Sequence, residues 1–381
     1  MKMKKKIMLV FGTRPEAIKM APLCHALKAR PDEFETLVCV TAQHRQMLDQ
    51  VLKVFDLSPD IDLNLMKDGQ DLFDVTGAVL LGMRDVLRAN RPDALLVHGD
   101  TTTSLAAAMA GFYLGIPVGH VEAGLRTFDL QAPFPEEFNR QVTSKVTHWH
   151  FAPTSLSQQN LLAERVPAEN ITVTGNTVID ALFWVLGRIE SDAVRRAAMM
   201  ELLNARLTFE WSTQRFVLIT GHRRENFGDG FLQICHALQE LAARFPQVHF
   251  VYPVHLNPNV QKPVNQLLAG LVNVHLVAPL DYEPFAWLLK HCHVVLTDSG
   301  GLQEEAPSLG KPVLVMRDVT ERPEAVDAGT VRLVGANRER IVAELADLLE
   351  NPASYQAMAR AHNPYGDGKA CERIISVLRT I

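Results

Sequence analysis

The chain has 381 residues, of which 47% are hydrophobic and 21% charged, and its formal net charge is −5. This length suffices for two domains with separate cores, and the composition predicts a soluble, cytoplasmic protein. The slightly negative balance excludes a general affinity for nucleic acid. No run approaches the roughly 20 apolar residues that a membrane helix needs, so we expect no membrane insertion. The five cysteines show no C-x-x-C spacing, which indicates reduced, buried thiols.

The first residues are basic, like the head of a signal peptide, but the apolar run at residues 7–11 is too short for one. We expect this run to form the first strand. Through the first half of the chain, short apolar runs alternate with longer helical patterns, which predicts a parallel sheet. The predicted strands are residues 6–11, 36–41, 94–98, 117–121, 149–152 and 171–174.

A helix-rich, charged stretch separates this half from a second alternation of the same kind. The second set of predicted strands is residues 216–220, 249–252, 274–277, 293–296, 313–316 and 331–334. The pattern predicts an α/β protein with two Rossmann-like, doubly wound parallel-sheet domains that face a cleft. We expect the domains at residues 1–175 and 176–368, with the helix at residues 369–381 free to pack back on the first domain or against the second.

Candidate site residues of the first domain follow its predicted strands. Arg14 and Lys19 lie near the start of the helix after the first strand, where two cations can hold a phosphate. Asp100 follows another strand, where it either serves a site or caps the next helix. Glu122 follows an apolar strand directly, which favours a functional role.

An acid pair, Glu136 and Glu137, opens the helix after the loop that follows Glu122. This pair lies near the carboxyl end of a strand, as Glu122 and Asp100 do. We therefore expect several carboxylates at one edge of the sheet. A solvated acidic loop explains Glu137 and Asp129 equally well.

In the second domain, His222 and two arginines follow the first strand, between glycines. This arrangement favours contact with a diphosphate over an exposed basic loop, because histidine and arginine donate hydrogen bonds to anions. Arg322, farther along the chain, can add a phosphate contact.

The turn Ser299-Gly300-Gly301 joins a strand to a helix, and free N–H groups at a helix start attract an anion. Two acids follow, Glu304 and Glu305, which would repel phosphate unless they reach a neutral part of the ligand, such as a ribose. The turn therefore predicts a nucleotide. The alternative is an ordinary tight turn whose acids complement the helix dipole.

Two kinds of cofactor site are not indicated. Neither a dinucleotide fingerprint nor a phosphate-binding loop with Gly-Lys-Ser/Thr occurs, and the histidines show no metal-ligand spacing. We expect no nicotinamide cofactor and no metal.

A set of motifs spread in order from residue 6 to about residue 379 resembles the non-hydrolysing bacterial UDP-N-acetylglucosamine 2-epimerases. The motifs are FGTRPEAIKMAPL, TAQHRQMLDQ, VHGDTTT, GHVEAGLRT, PFPEEFNR, TGNTVIDAL, TGHRREN, YPVHLNP, LTDSGGLQEEAPSLGKPVLVMRDVTERPEAV and NPYGDG. The resemblance implies a glycosyltransferase-B fold, a homodimer and a role in polysaccharide biosynthesis. It also implies reversible conversion of UDP-GlcNAc to UDP-ManNAc without metal or nicotinamide, by elimination of UDP to a 2-acetamidoglucal and its re-addition.

The resemblance also implies roles for individual residues. Asp100, Glu122 and Glu136 match the acid/base positions, while His222 matches a residue that contacts the diphosphate or assists its departure. Glu305 matches the ribose contact and Phe285 the uracil pocket. The positions that match nucleotide and phosphate contacts are Arg14, Lys19, Ser299, Gly300, Gly301 and Arg322. Gln43 and His44 match a region near a regulatory substrate site of some members. Phe128 departs from the pattern, because a glycine is common there.

Two other functions fit parts of the sequence. A hydrolysing epimerase or a glycosyltransferase on the same scaffold would share the nucleotide-binding residues. A nucleotide-sugar sensor would need those residues but not the acids at Asp100, Glu122 and Glu136.

Overall fold

A computed structural model describes residues 4–42, 45–65, 67 and 69–381. The chain divides into two compact units. Unit 1 comprises Met1–Trp184 and Tyr365–Ile381, and unit 2 comprises Val185–Pro364. The chain therefore passes from unit 1 to unit 2 after Trp184, whereas we expected the boundary at residue 175.

Unit 1 is built on a seven-stranded sheet, and each neighbouring pair of strands is parallel. The strand order is β3-β2-β1-β4-β5-β6-β7. In its central strands, residues 7–11 of β1 and all of β4 are buried, because helices cover both faces of such a sheet. The strands are β1 (Lys5–Phe11), β2 (Phe34–Val40), β3 (Ile61–Asp62), β4 (Ala94–His98), β5 (Val118–Val121), β6 (Trp149–Ala152) and β7 (Ile171–Val173).

The helices of unit 1 begin where the sequence supplies caps. Thr13 and Glu16 form a capping box at the first helix, and Asp71 and Asp74 form another at the third. The helices are α1 (Arg14–Lys28), α2 (Arg45–Val54), α3 (Leu72–Asn90), α4 (Thr102–Tyr113), α5 (Glu136–Val146), α6 (Ser155–Ala163) and α7 (Thr177–Ser191), with a short 3₁₀ helix at Ala168–Asn170. Helices α3 and α4 place Val79, Met83 and Ala107 in one core with β1 and β4.

Unit 2 has a six-stranded sheet of parallel pairs in the order β10-β9-β8-β11-β12-β13. Its strands are β8 (Phe216–Thr220), β9 (His249–Pro253), β10 (Val274–Val277), β11 (Val294–Thr297), β12 (Val313–Val315) and β13 (Val331–Leu333). Its helices are α8 (Ala193–Asn204), α9 (Asp229–Arg244), α10 (Pro258–Leu268), α11 (Tyr282–His291), α12 (Leu302–Ser308), α13 (Pro323–Asp327), α14 (Arg338–Glu350) and α15 (Pro352–Ala359), with a 3₁₀ helix at Arg224–Asn226.

The final helix, α16 (Ala370–Leu378), belongs to unit 1. The Asp180 carboxylate accepts hydrogen bonds from the backbone N–H groups of Ala370 (3.2 Å) and Cys371 (2.9 Å). Arg30 pairs with Glu372 at 2.7 Å. Unit 1 is thus assembled from two separate stretches of the chain.

The predicted fold class, two Rossmann-like parallel-sheet domains, is confirmed. The predicted strands agree with observed strands, with bounds that differ by a residue or two. The edge strand β3 was not predicted. All five cysteines are free and buried, and no helix within the described ranges is long and apolar enough to cross a membrane.

Candidate active site

In each unit the strand order reverses between two neighbouring strands, and open α/β sheets bind ligands at such points, beyond the carboxyl ends of the strands. The reversal lies between β1 and β4 in unit 1 and between β8 and β11 in unit 2. The candidate residues of unit 1 follow β1, β4 and β5, and most of those of unit 2 follow β8, β11 and β12. The two sets are described separately.

A buried carboxylate, Glu16, joins the loops after β1 and β4. It accepts hydrogen bonds from the backbone N–H groups of Gly12 (3.0 Å) and Thr13 (2.8 Å) and from the Thr101 hydroxyl (2.7 Å). Burial raises the pKa of Glu16, although these hydrogen bonds act to lower it. The residue fixes the turn that carries Arg14. Sequence reasoning gave it no role, although the capping-box spacing from Thr13 was a usable signal.

Asp100 lies just beyond β4, and its carboxylate pairs with Arg140. The Nε and Nη2 atoms of Arg140 lie 2.9 and 2.8 Å from Oδ2 of Asp100. Thr101, not Asp100, caps α4 by accepting from the Ser104 backbone. Burial raises the pKa of Asp100, the Arg140 charge lowers it, and the Glu122 charge raises it.

Glu122 directly follows β5 and has φ = 64°, in the left-handed region that residues other than glycine seldom adopt. Its Oε2 atom pairs with the Lys19 ammonium group and accepts a hydrogen bond from Nδ2 of Asn176 at 2.7 Å. The Nε2 atom of His98 lies 3.8 Å away. Only 11% of the Glu122 side chain is exposed, so its charge is balanced mainly by Lys19 inside the protein.

His98 is buried beside this carboxylate, and its Nε2 atom has no hydrogen-bond partner within the described ranges. Burial lowers the pKa of His98 to about 4. The Glu122 charge raises this pKa less than burial lowers it, and Lys19 lowers it further. The imidazole is therefore neutral near pH 7.

The adjacent acids Glu136 and Glu137 have opposite environments. Glu136, the first residue of α5, is half-buried, and its side chain has no hydrogen bond or ion pair to any residue that the structure describes. Glu137 is fully buried and accepts from the backbone N–H groups of Thr127 and Phe128, both at 3.1 Å. The interpretation of Glu137 as part of a solvated loop is wrong, because it holds the loop between β5 and α5. Asp129 is exposed.

The nucleotide candidates at the start of α1 differ in their contacts. Lys19 is engaged by Glu122, whereas the half-buried Arg14 has no ion pair or hydrogen bond with the described residues. Arg14 is the first residue of α1, next to Pro15. Its guanidinium group is therefore available for an anion.

In unit 2, the buried Asp298 organises the loop that carries His222. Oδ2 of Asp298 accepts from the backbone N–H groups of His222 and Arg223, both at 2.8 Å. Nδ1 of His222 lies 3.5 Å from Oδ1 of Asp298. The His222 ring stacks on the His255 ring, with 5.3 Å between the two ring centroids. Burial lowers the pKa of His222 while the Asp298 charge raises it. In the sequence, the only signal for Asp298 is its position at a strand end.

The turn Ser299-Gly300-Gly301 precedes α12, and Gly301 occupies the N-cap position without a side-chain cap. A Cβ atom on Gly300 would lie 3.2 Å from the Arg322 guanidinium carbon. A side chain at position 300 would therefore crowd the Arg322 guanidinium group.

The two acids that follow the turn have different partners. Glu304 is paired with Nε of Arg322 at 2.7 Å, and Glu305 accepts a hydrogen bond from the Tyr282 hydroxyl at 3.0 Å. Pairing with Arg322 offsets the repulsion that Glu304 would exert on a phosphate. Phe285 lies half-buried on α11.

Gln43 and His44, the regulatory candidates, lie outside the described residues. Over the ranges that are described, no group of three or more His, Cys, Asp or Glu side chains is arranged to hold a metal ion.

The two Rossmann-like parallel-sheet domains are of the glycosyltransferase-B class of fold. The family model for UDP-N-acetylglucosamine 2-epimerase matches residues 25–379. The UDP-N-acetylglucosamine 2-epimerase of Yersinia pestis is 59% identical over 374 residues, which cover 98% of each chain. That of Escherichia coli (strain K12) is 58% identical over 374 residues, again 98% of each chain.

A solved structure gives the same result. The UDP-GlcNAc 2-epimerase from Neisseria meningitidis, bound to UDP-GlcNAc, is 50% identical with a TM-score of 0.88, covering 99% of this chain and 100% of that one. The chain therefore belongs to the UDP-N-acetylglucosamine 2-epimerase family of enzymes, and the resemblance drawn from its motifs is confirmed.

Proposed function

We propose that the protein interconverts UDP-GlcNAc and UDP-ManNAc by eliminating UDP and adding it back. The observation that carries the proposal is the pair of carboxylates at neighbouring strand ends, Asp100 and Glu122, each held by a cation. A protein that only bound the nucleotide would not require them.

The chemistry explains why carboxylates and a held anion are needed together. The hydrogen at C2 of the sugar has no adjacent carbonyl to acidify it, so a base alone faces a high barrier. In the proposed first step a carboxylate takes this proton, the C1–O bond breaks with its electron pair leaving on UDP, and a C1=C2 double bond forms. In the second step C2 receives a proton on the opposite face, and UDP attacks C1.

We assign the proton transfers to Asp100, Glu122 and Glu136. A positioned acid or base contributes a factor of about 10² to 10⁴, so stabilisation of the departing diphosphate must supply much of the remaining acceleration. The half-buried Glu136 has no partner within the described part of the chain, which suits a group that must reach a substrate.

We assign UDP binding to the candidate residues of unit 2 together with Arg14 and Lys19 of unit 1. His222 contacts the diphosphate or assists its departure, and Arg14, Lys19 and Arg322 offer positive charge. The turn at Ser299-Gly300-Gly301 offers backbone N–H groups, Glu305 the ribose contact, and Phe285 part of the uracil pocket. The N. meningitidis relative bound to UDP-GlcNAc supports this ligand class. We also propose a homodimer, testable by analytical ultracentrifugation.

The decisive experiment is incubation with UDP-GlcNAc in D₂O. We expect UDP-ManNAc that carries deuterium at C2, with little free sugar. Net release of ManNAc and UDP would instead identify a hydrolysing enzyme, and binding without turnover would identify a sensor.

A variant pair tests the carboxylates themselves. Glu122→Gln should retain UDP binding but lose isomerisation and deuterium incorporation. The matched control is Asp129→Asn, which alters an exposed acid of the following loop and should isomerise normally. Full isomerisation by Glu122→Gln would refute the assigned role.

A further inference from the structure

The buried residue Asn176 joins Glu122 to two segments of unit 1. Asn176 is 3% exposed. Its backbone N–H donates to the Tyr365 carbonyl at 2.7 Å, and its Nδ2 donates to Oε2 of Glu122, also at 2.7 Å. Tyr365 is the residue at which the chain re-enters unit 1.

The orientation of the Asn176 amide group is set by its surroundings. Its Oδ1 accepts a hydrogen bond from the Val178 backbone N–H at 3.1 Å, at the start of α7. An amide oxygen accepts and its nitrogen donates, so the NH₂ group must face Glu122. A donor in this position stabilises the ionised carboxylate.

The backbone around Asn176 leaves little freedom. Gly175 (φ = 85°) lies against Gly366 (φ = 122°), and a Cβ atom on Gly175 would come within 3.2 Å of the Gly366 Cα. Because neither Gly175 nor Gly366 has a side chain, the two segments of unit 1 approach closely at this point. Asn176 is held at this contact while its amide group reaches Glu122.

The other groups around Glu122 make less directional contacts with its carboxylate. Lys19 from α1 pairs with the same oxygen, the neutral His98 from β4 lies 3.8 Å from it, and Asp100 and the buried His120 interact with it electrostatically. An ammonium group balances charge without fixing the carboxylate plane. The amide of Asn176 supplies a short, oriented hydrogen bond.

We propose that Asn176 is a positioning residue for the reaction, which orients Glu122 and keeps it ionised through the hydrogen bond from Nδ2. This inference rests on the proposed role of Glu122. It adds a residue that does not touch the reacting atoms and acts through the carboxylate.

Two substitutions separate this role from a structural one. Asn176→Ser and Asn176→Asp both retain a side-chain oxygen that can cap α7. Serine is too short to reach Glu122, and aspartate places a second carboxylate against it. The matched control is Asn337→Asp at the N-cap of α14, where Asn337 accepts from the Arg340 backbone.

We expect kcat to fall by about ten- to a hundredfold in Asn176→Ser, the usual cost of a lost hydrogen bond to a charged group, with KM changed little. The acidic limb of the kcat/KM profile should move to higher pH, because the lost hydrogen bond favours the ionised form of the carboxylate. Asn176→Asp should move it further, because two adjacent carboxylates share a proton. Asn337→Asp should retain the original profile.

Thermal melting completes the test. A melting temperature near that of the unaltered protein, with the lower kcat and the shifted profile, supports the inference. If Asn176→Ser has unchanged kinetics while Glu122→Gln is inactive, the inference about Asn176 is wrong but the proposed role of Glu122 stands. A fall in activity that follows the loss of stability, with an unshifted profile, would also overturn the inference. Full isomerisation by Glu122→Gln would overturn the assigned role of Glu122 and this inference together, whereas the absence of UDP-ManNAc with the unaltered protein would overturn the proposed function.

Discussion

Nε of Arg140 donates a hydrogen bond to Oδ2 of Asp100 at 2.9 Å, and Nη2 of Arg140 lies 2.8 Å from the same oxygen. The two residues are 40 positions apart in the sequence, and the contact ties α5 to the loop after β4. Arg140 also contacts Glu137 at 3.2 Å. One guanidinium group thus balances an acid at the candidate site and the acid that supports the neighbouring loop.

Replacing Arg140 should change the pH dependence of activity. Because the Arg140 charge lowers the pKa of Asp100 against the effect of burial, Arg140→Met should raise that pKa further. We expect the part of the kcat/KM profile that depends on Asp100 to move to higher pH, with kcat lower by about tenfold or more. The control is Lys145→Met on the exposed side of α5, and an unshifted profile in Arg140→Met would contradict the prediction.

The adjacent acids at the start of α5 should respond differently to the same substitution. Glu136→Gln should leave the free energy of unfolding unchanged and abolish isomerisation. Glu137→Gln should lower the free energy of unfolding by about 1–3 kcal/mol, because a buried group loses charge-assisted hydrogen bonds. Urea unfolding and the deuterium assay distinguish the two, and each variant is the other's control. Equal destabilisation in both would show that the environments are wrongly assigned.

Asp298→Asn should weaken UDP binding by loosening the loop after β8. The substitution removes the charge that raises the pKa of His222, so that pKa should fall further. We expect the dissociation constant for UDP to rise by about tenfold, as for the loss of a hydrogen bond to a charged group. Isothermal titration measures the affinity and NMR the His222 titration. Exposed Asp318 lies beyond the next strand, and Asp318→Asn serves as the control. Unaltered UDP affinity in Asp298→Asn would refute the prediction.

Acid should destabilise unit 1 through its buried histidines. Burial lowers the pKa of His98 and of His120 to about 4 and that of His150 to about 3. The unfolded chain binds protons at these residues below about pH 6.5, while the folded chain does not until about pH 4 or below. Each histidine therefore contributes stability above pH 6.5 that is lost as the pH falls through this window, by about 1.4 kcal/mol per pH unit.

Burial raises the pKa of Glu16, Asp100 and Asp180, so these carboxyl groups stabilise the folded chain as the pH falls, opposite to the histidines. The effect of one histidine must therefore be measured by comparing variants. We expect the slope of unfolding free energy against pH, measured with urea between pH 6.5 and 4.5, to be smaller in His150→Gln. The slope should not change in His362→Gln, an exposed site. Equal slopes in all three proteins would show that His150 is protonated alike in both states.

The strands were predictable because their signal is local. The runs that became β4 and β8 are apolar except at their last residues, His98 and Thr220, as expected for strands buried on both faces. The edge strand β3 has two residues, Ile61 and Asp62, which is too short for any periodicity. The observed division between the units, after Trp184, lies inside α7 (Thr177–Ser191), so no turn or loop in the sequence marks it.

The contacts within the candidate site were less predictable, because they join residues that are distant in sequence. Consecutive helix residues point about 100° apart, so the sequence did not reveal which of Glu136 and Glu137 faces inward. Asn176 appears in a recognisable motif, yet only the fold brings it to Glu122, 54 positions away. Positions at strand ends could be predicted, but their partners could not.

The return of the chain to unit 1 has a consequence for its synthesis. Unit 2 is one continuous stretch, Val185–Pro364, whereas unit 1 requires Tyr365–Ile381 as well as its earlier part. Domains fold as units while the ribosome adds residues. Unit 2 is therefore the first whose residues have all been translated, and until α16 is made the Asp180 carboxylate lacks the two backbone donors that it has in the finished protein.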